Sequence, residues 1–438
     1  MNNSVNDSVN NFMDSYNKLI DSIGENSVYG IIILFILVVI VILIFYNLLA
    51  VSKCRSTENM IDIKPLHNPN FSRSKCDYRM GETMQKVLNE NNINDTNEET
   101  GGGIQLTCGY DEIDKEINKL NPSNDQRIHI IHNADHVSAK DYLWNRLVIS
   151  AGIDKAKTMM PNTYILKNNV DRQRLKHDFK PDNLYIMKKN IQRQEGLKIT
   201  NSLDEMLNAP ASYVLTQELL QDPYVINVSQ DLHATDNRKI NMRFYVLVVC
   251  KDKNMDVYVF NDGFMYYTAE PFRKGTTESG PNVTTGYIER AIYEQNPLTH
   301  IDFKQYLDRT DRPITVTEEN IRSQGLKISS VVFNRIYNLL REVFTCIIGK
   351  ACEGDRLRNN VSFQLFGCDI AINDQLHPMI MEVNKGPDIS AKSDEDGKVK
   401  RKCVKDMLKI IGAVQDNNPN GFMQIINKEG DELGKVCI

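Results

Sequence analysis

Residues 363–390 read "FQLFGCDIAINDQLHPMIMEVNKGPDIS", and this stretch decides the fold. Two apolar runs flank "NDQLHP", residues 373–378. Each run carries one carboxylate, Asp369 or Glu382, where a buried strand would take another Val or Ile. The pattern predicts a β-hairpin. A turn centred between Gln375 and Leu376 puts Asp369 opposite Glu382, with Cβ atoms roughly 5 Å apart. Asn384, two residues further on, shares their face. Carboxylates this close repel unless a cation lies between them. An all-oxygen donor set favours a hard ion, and Mg²⁺ usually completes its shell with water and substrate phosphates. The plainer alternative is an exposed sheet face with ordinary acids. Against it, Ile370, Ile372, Ile380 and Val383 make both strands largely apolar.

Away from the hairpin, the 438 residues leave room for two or three compact domains. A net charge of −5 gives no bulk argument for nucleic-acid binding. The nine cysteines are scattered without CxxC spacing, which predicts free thiols in a reducing compartment. His129, His132 and His136 are close in sequence. On a strand the first two face opposite sides and no fourth ligand is near, so they read as structural rather than zinc-binding.

One run departs from the average composition. Residues 28–51, "VYGIIILFILVVIVILIFYNLLAV", carry no charge and are long enough to cross a bilayer as a helix. Acidic residues dominate before the run, and Lys53, Arg55, Lys64, Arg73, Lys75 and Arg79 follow it. The positive-inside rule therefore predicts a single-pass membrane protein, held by lipid contact, with its C-terminal domain facing the cytosol. The expected organisation is a polar segment over 1–27, a transmembrane helix over 28–51 and a flexible linker over 52–103. A globular part follows, divided as 104–165, 166–250 and 251–415, with a C-terminal tail over 416–438. Within it, "SAKDYLWNRLVISAGI" predicts a helix with Leu143, Leu147 and Ile149 inward. Asp262–Gly263 is a turn signal inside "DVYVFNDGFMYYT". Mixed strands and helices, many of the strands antiparallel, give an α+β class.

The hairpin resembles the closing motif of the tubulin–tyrosine ligase-like family of the ATP-grasp superfamily. That motif is an F-E-L-[FY]-G-x-D strand followed by P-x-[LI]-[LIM]-E-V-N-x-x-P. The resemblance implies an ATP-grasp fold and assigns Asp369, Glu382 and Asn384 as magnesium ligands. Upstream, "LYIMKKNIQRQEGLKIT" is similar to the family's W-I-x-K strand and its phosphate-covering loop, implying that Lys188 holds phosphates and Gly196 lies in the loop. "VLTQELL" resembles the adenine hinge, with Gln217 and Leu220 at the matching positions. "RKINMRFYVLV" resembles K-F-D-[IL]-R-x-[WY]-x-L-V, giving Lys239 and Arg243. "MMPNTYIL" matches the family's P-x-T-[FY], and "NDGFMYYTAEPF" its E-G-x-x-R-x-x-x-E-P-Y. Lys140 is a further candidate for phosphate contact. The implied reaction is ATP- and Mg²⁺-dependent ligation of a free amino acid to a protein carboxylate through an acyl phosphate. The acceptor it implies is an acidic protein tail such as that of tubulin. Arg243 and Glu382 are the catalytic candidates, because charge growing on a transferred phosphoryl group must be neutralised.

The departures cluster on the substrate side. Gln194 replaces the first loop glycine, which permits backbone angles that other residues resist. Asn241 replaces an aspartate, Tyr266 replaces an arginine, and "NVTT" (Asn282 to Thr285) retains only the threonine of H-L-T-N. Two alternatives therefore stay open: a catalytically inactive nucleotide-binding scaffold, and an ATP-grasp ligase acting on a peptide or small molecule. The basic run Lys398, Lys400, Arg401 and Lys402 is either a solvated helix face or an attractant for acidic tails.

Overall fold

The computed structural model describes residues 61–74, 81–109, 113–190, 196–228, 236–286 and 288–427. Four short strands come first: β1 (Asn70–Arg73), β2 (Asn94–Asp95), β3 (Ile104–Leu106) and β4 (Arg127–Ile128). They pair in parallel, and β4 joins them to the long strands that follow. A separate antiparallel sheet holds β5 (Thr163–Ile165), β6 (Tyr185–Lys189), β7 (Leu197–Thr200) and β8 (Tyr213–Glu218), in the order β5-β8-β6-β7. The larger sheet is completed by β9 (Val225–Asn227), β10 (Asn237–Lys251), β11 (Asn254–Thr268), β12 (Thr284–Thr285), β13 (Val361–Ile372), β14 (Pro378–Asn384) and β15 (Phe422–Ile426).

The centre of the large sheet is β11-β10-β13-β14, all antiparallel. From Phe244 to Val249 every residue of β10 is buried, because helices cover both faces of the sheet. On one face the helix Ile328–Thr345 packs Val332, Ile336, Leu339, Leu340 and Val343 inward, as its 3.6-residue period predicts. On the other, Tyr245, Leu247 and Val249 share a core with Val404, Met407 and Leu408 of the helix Asp394–Ile410. Strand periodicity sets this division, since neighbouring residues of β10 point to opposite layers.

Several expectations are corrected. Part of the supposed linker 52–103 is built into the domain: β1, β2 and the helix Glu82–Glu90 lie there, and Phe71, Met84, Val87, Leu88 and Ile93 are core residues. The supposed tail supplies β15, which pairs with β11. Asp262–Gly263 is no turn. It lies inside β11 at an irregularity opposite Tyr245, where the Asp262 carboxylate accepts from the backbone N–H groups of Gly263, His300 and Ile301. The hairpin turn falls instead at Asp252–Lys253, both with positive φ. Ile149 is exposed, and Trp144 takes the inward place beside Leu143 and Leu147.

The membrane expectation is also corrected. Residues 28–51 lie outside the described residues, and among the described residues no helix is long and apolar enough to cross a membrane. The fold class of the described residues is thus a mixed α+β domain. The single-pass localisation and lipid contact are withdrawn with the spanning helix. Free thiols do not hold throughout either. Cys250, at the end of β10, and Cys352 are 5.3 Å apart at Cα and joined by a disulfide across 102 positions. Cys346, Cys368 and Cys403 are free and buried.

Candidate active site

Asp369 and Glu382 are direct partners across β13 and β14, but the hairpin reaches that register by an unexpected route. Its closing pairs, Ile372 with Pro378 and Ile370 with Ile380, centre the turn on Gln375. An extra residue, Met381, is then bulged, and pairing resumes one step later at Asp369 with Glu382. A bulge interrupts the period-two alternation of a strand. Ile380 and Val383 can therefore both enter the core, while Glu382 and Asn384 are only half-buried on the opposite face. In an unbulged strand Ile380 and Glu382 would share a face.

On the neighbouring strand, Arg243 is paired in register with Asp369. Its Nε donates to Oδ1 at 2.5 Å and its Nη2 to Oδ2 at 2.9 Å. Burial opposes the charge on Arg243, yet Asp369 outweighs it and holds the guanidinium above its ordinary pKa. Gly367 allows this packing: a Cβ there would lie 2.8 Å from Cβ of Pro387 and 3.1 Å from Cδ of Arg243. Tyr266 lies beside the guanidinium, 5.3 Å from ring centroid to Cζ. The residue that replaces the family's arginine thus contacts the arginine that remains.

Glu382 is flanked differently. Burial pushes its carboxyl up, but Lys140 and Lys188 pull harder and hold it below the usual range. Lys140 Nζ is 3.7 Å from Oε2, and Asn384 Nδ2 donates to Oε1 at 3.1 Å. Lys188 comes from β6 of the smaller sheet, so the two sheets meet over this charge cluster. Its ammonium donates to Oε1 of Gln217 at 2.7 Å, and Gln217 Nε2 donates to Thr163 Oγ1 at 2.8 Å. Burial drops the pKa of Lys188 to about 8, with Glu382 opposing that shift. Lys239, also buried, falls to about 8 through desolvation and the nearby charge of Lys188.

The structure thus gathers Lys188, Lys239, Arg243, Asp369, Glu382, Asn384 and Lys140. Gln217 is a direct partner of Lys188 rather than a separate wall. Leu220 lies beyond the end of β8 and is buried. Gly196 has φ +76°, and its carbonyl accepts from the Lys189 N–H. It opens β7 after residues 191–195, so the Gln194 substitution falls outside the described residues. The basic run on the helix Asp394–Ile410 is partly neutralised: Lys400 pairs with Asp396, and Lys402 with Asp406. The sequence reading held Thr163 only as part of the P-x-T-[FY] match, with no role behind Gln217, and missed Asp135, which pairs with Lys385 at 2.7 Å. Asp135 and Lys385 are 250 positions apart, and no local pattern links them.

The donor set suits a hard cation accompanied by phosphate. Two carboxylates and an amide supply oxygen only, and among the described residues no cluster of three or more His, Cys, Asp or Glu is present. Such a set leaves coordination positions for water and phosphate oxygens. Lysines and an arginine surround it where phosphate charge would be met. Asn241 Oδ1, on the same strand face as Lys239 and Arg243, is buried without a hydrogen-bond partner among the described residues. A buried acceptor of that kind suits a donor supplied by a ligand.

A small antiparallel sheet facing a larger mixed one, with Lys188 from the first meeting the acids of the second, defines an ATP-grasp-like α+β domain. The chain belongs to the tubulin-tyrosine ligase family, whose model matches residues 118–420. It is 24% identical over 230 residues to a probable beta-tubulin polyglutamylase of Tetrahymena thermophila, covering 49% of this chain and 18% of that protein. It is 20% identical over 231 residues to tubulin glycylase 3B of Drosophila melanogaster, covering 49% and 27%. It is 24% identical over 306 residues to a tubulin polyglutamylase of Caenorhabditis briggsae, covering 66% and 46%. Each alignment spans less than half of the relative's own length.

Proposed function

We propose that the chain is an ATP- and Mg²⁺-dependent carboxylate–amine ligase that adds a free amino acid to a carboxylate of an acidic protein segment of the tubulin-tail type. One observation carries this reading: the oxygen donors Asp369, Glu382 and Asn384 lie among the cations Lys188, Lys239 and Arg243, contributed by two facing sheets. The names of the relatives supply the substrate class. In this reading Glu382, Asp369 and Asn384 would hold Mg²⁺, which supplies charge neutralisation on the phosphates. Lys188 and Lys239 would bind the phosphate oxygens, and their depressed pKa values would return upward on meeting that negative charge. Arg243 would brace the phosphoryl group being passed to the acceptor carboxylate. The incoming amine would then attack the acyl carbon, releasing phosphate and giving up its proton as the amide forms. No enzyme nucleophile is required.

The test uses the full chain with ATP, Mg²⁺ and tubulin, following ADP release across a panel of amino acids. Release that depends on both tubulin and one amino acid, and that Glu382→Gln abolishes, is the expected result. Release indifferent to Glu382→Gln would sink the assignment. Tyr266 against Arg243 favours a second reading, a scaffold that binds nucleotide without ligating. Magnesium-dependent ATP binding with no turnover on any acceptor would select it.

A further inference from the structure

A cationic cavity lies at the far end of the strands that carry Arg243 and Asp369. Val361 opens β13 and Lys251 closes β10, whereas Asp369 and Arg243 each lie eight residues along those strands. At roughly 3.3 Å per residue the separation is about 26 Å. The cavity has a volume of about 380 Å³, near the lower end of the range for small-molecule sites. Lys64, Arg127 and Lys251 provide its charged wall, and Leu66 and Val361 an apolar one. His67 and Asp125 complete the lining.

Arg127 is the fixed element. It is 3% exposed, and its guanidinium is oriented by three backbone carbonyls. Nε donates to Ile411 O at 2.6 Å, Nη1 to Asp125 O at 2.5 Å, and Nη2 to Lys64 O. Carbonyls orient the group without cancelling its charge. A guanidinium has five N–H groups, so donors remain after these bonds. Lys251 is held similarly, with Nζ donating to Asp62 O at 2.7 Å. Lys64 is exposed at the edge. Three permanent cations against the single carboxylate of Asp125 leave the lining positive, on a chain whose net charge is −5. A phosphate group with a charge of about −1.5 to −2 near neutral pH matches that excess. The apolar wall suits carbon attached to it.

We propose that this cavity binds the phosphate dianion of a small phosphate monoester or of free phosphate, at a site separate from the candidate active site. Lys64, Lys251 and the remaining Arg127 donors would contact the phosphate oxygens, and Leu66 and Val361 would contact the organic part.

The test is calorimetric titration of the full chain with inorganic phosphate and, separately, with phenyl phosphate. Both probes are repeated on Lys64→Met, Lys251→Met and Lys188→Met. A saturable binding component is expected that each of the first two substitutions weakens about tenfold, as loss of a charge-assisted hydrogen bond implies, and that persists in Lys188→Met, whatever that substitution does to phosphate bound in the candidate active site. Tighter binding of phenyl phosphate identifies an organic monoester as the ligand, and equal or weaker binding identifies free phosphate. Because Lys251 also anchors Asp62, the exposed Lys64 provides the substitution that leaves the wall in place. Absence of saturable binding overturns the proposal. So does binding that ignores Lys64→Met, or binding lost in Lys188→Met, which would place the anion in the active site.

Discussion

Arg243 and Asp369 form a two-bond fork across the seam between β10 and β13, at 2.5 and 2.9 Å, with both side chains almost wholly buried. The fork lets two carboxylates converge on this patch, because Asp369 carries its own counter-ion while Lys140 and Lys188 serve Glu382. Removing one member of such a pair strands the other. Arg243→Met is expected to destabilise the protein by about 3–5 kcal/mol, read as a lower urea midpoint. Arg243→Met combined with Asp369→Leu should recover most of that loss. If the single substitution leaves the midpoint unchanged, the fork is not formed in solution.

Lys239 makes a prediction of opposite sign. Its pKa of about 8 lies below the ordinary lysine value of 10.5. Between those values the unfolded chain binds the proton and the folded chain does not, so this group's contribution raises stability as pH rises from about 8 to 10.5. Below pH 8 both states are charged, and the folded state bears the full cost of burial. Lys239→Met should therefore stabilise the protein at pH 7 by about 3 kcal/mol, and should flatten the rise between pH 8 and 10. Paired urea titrations at pH 7 and pH 9.5 would show it. A destabilised variant at pH 7 would contradict the burial argument.

Glu318, fully buried, pairs with Arg312 Nη2 at 2.6 Å and accepts from the Tyr224 hydroxyl at 2.9 Å. Arg312 and Tyr224 hold its carboxyl below the usual range against the upward push of burial. The Tyr224 N–H donates to Ile372 O, so this cluster ties the segment after β8 to the β13–β14 hairpin. Glu318→Ala is expected to cost about 3–5 kcal/mol, and Glu318→Gln less. Equal losses for the two variants would mean that volume, not hydrogen bonding, is what matters there.

A disulfide joins positions 102 apart, Cys250 and Cys352. Crosslinks that close long loops restrict the unfolded chain, with typical gains of about 2–4 kcal/mol. A thiol reductant should lower the guanidinium midpoint of the native protein by more than it lowers that of a Cys250→Ser, Cys352→Ser double variant. The same midpoint for both proteins without reductant would show that the bridge adds nothing.

The sequence by itself determined the hairpin, its two acids and their amide neighbour, the lysine strand and the long amphipathic helix. In each, the chemistry or the core demands particular residue types at short, regular spacings. Only the tertiary structure decided how those spacings are realised. The Met381 bulge lies in β14, where the local pattern is equally compatible with an unbroken strand and a turn one half-step away; packing of Ile380 and Val383 into one core settles it. The same holds for residues 61–103, polar enough to resemble a tether, in which a few apolar side chains such as Phe71 and Leu88 find a core built by strands far along the chain. The Arg243–Asp369 fork, the Asp135–Lys385 pair and the Cys250–Cys352 bridge join positions more than 100 apart. Their geometry depends on sheet order, which no local periodicity contains.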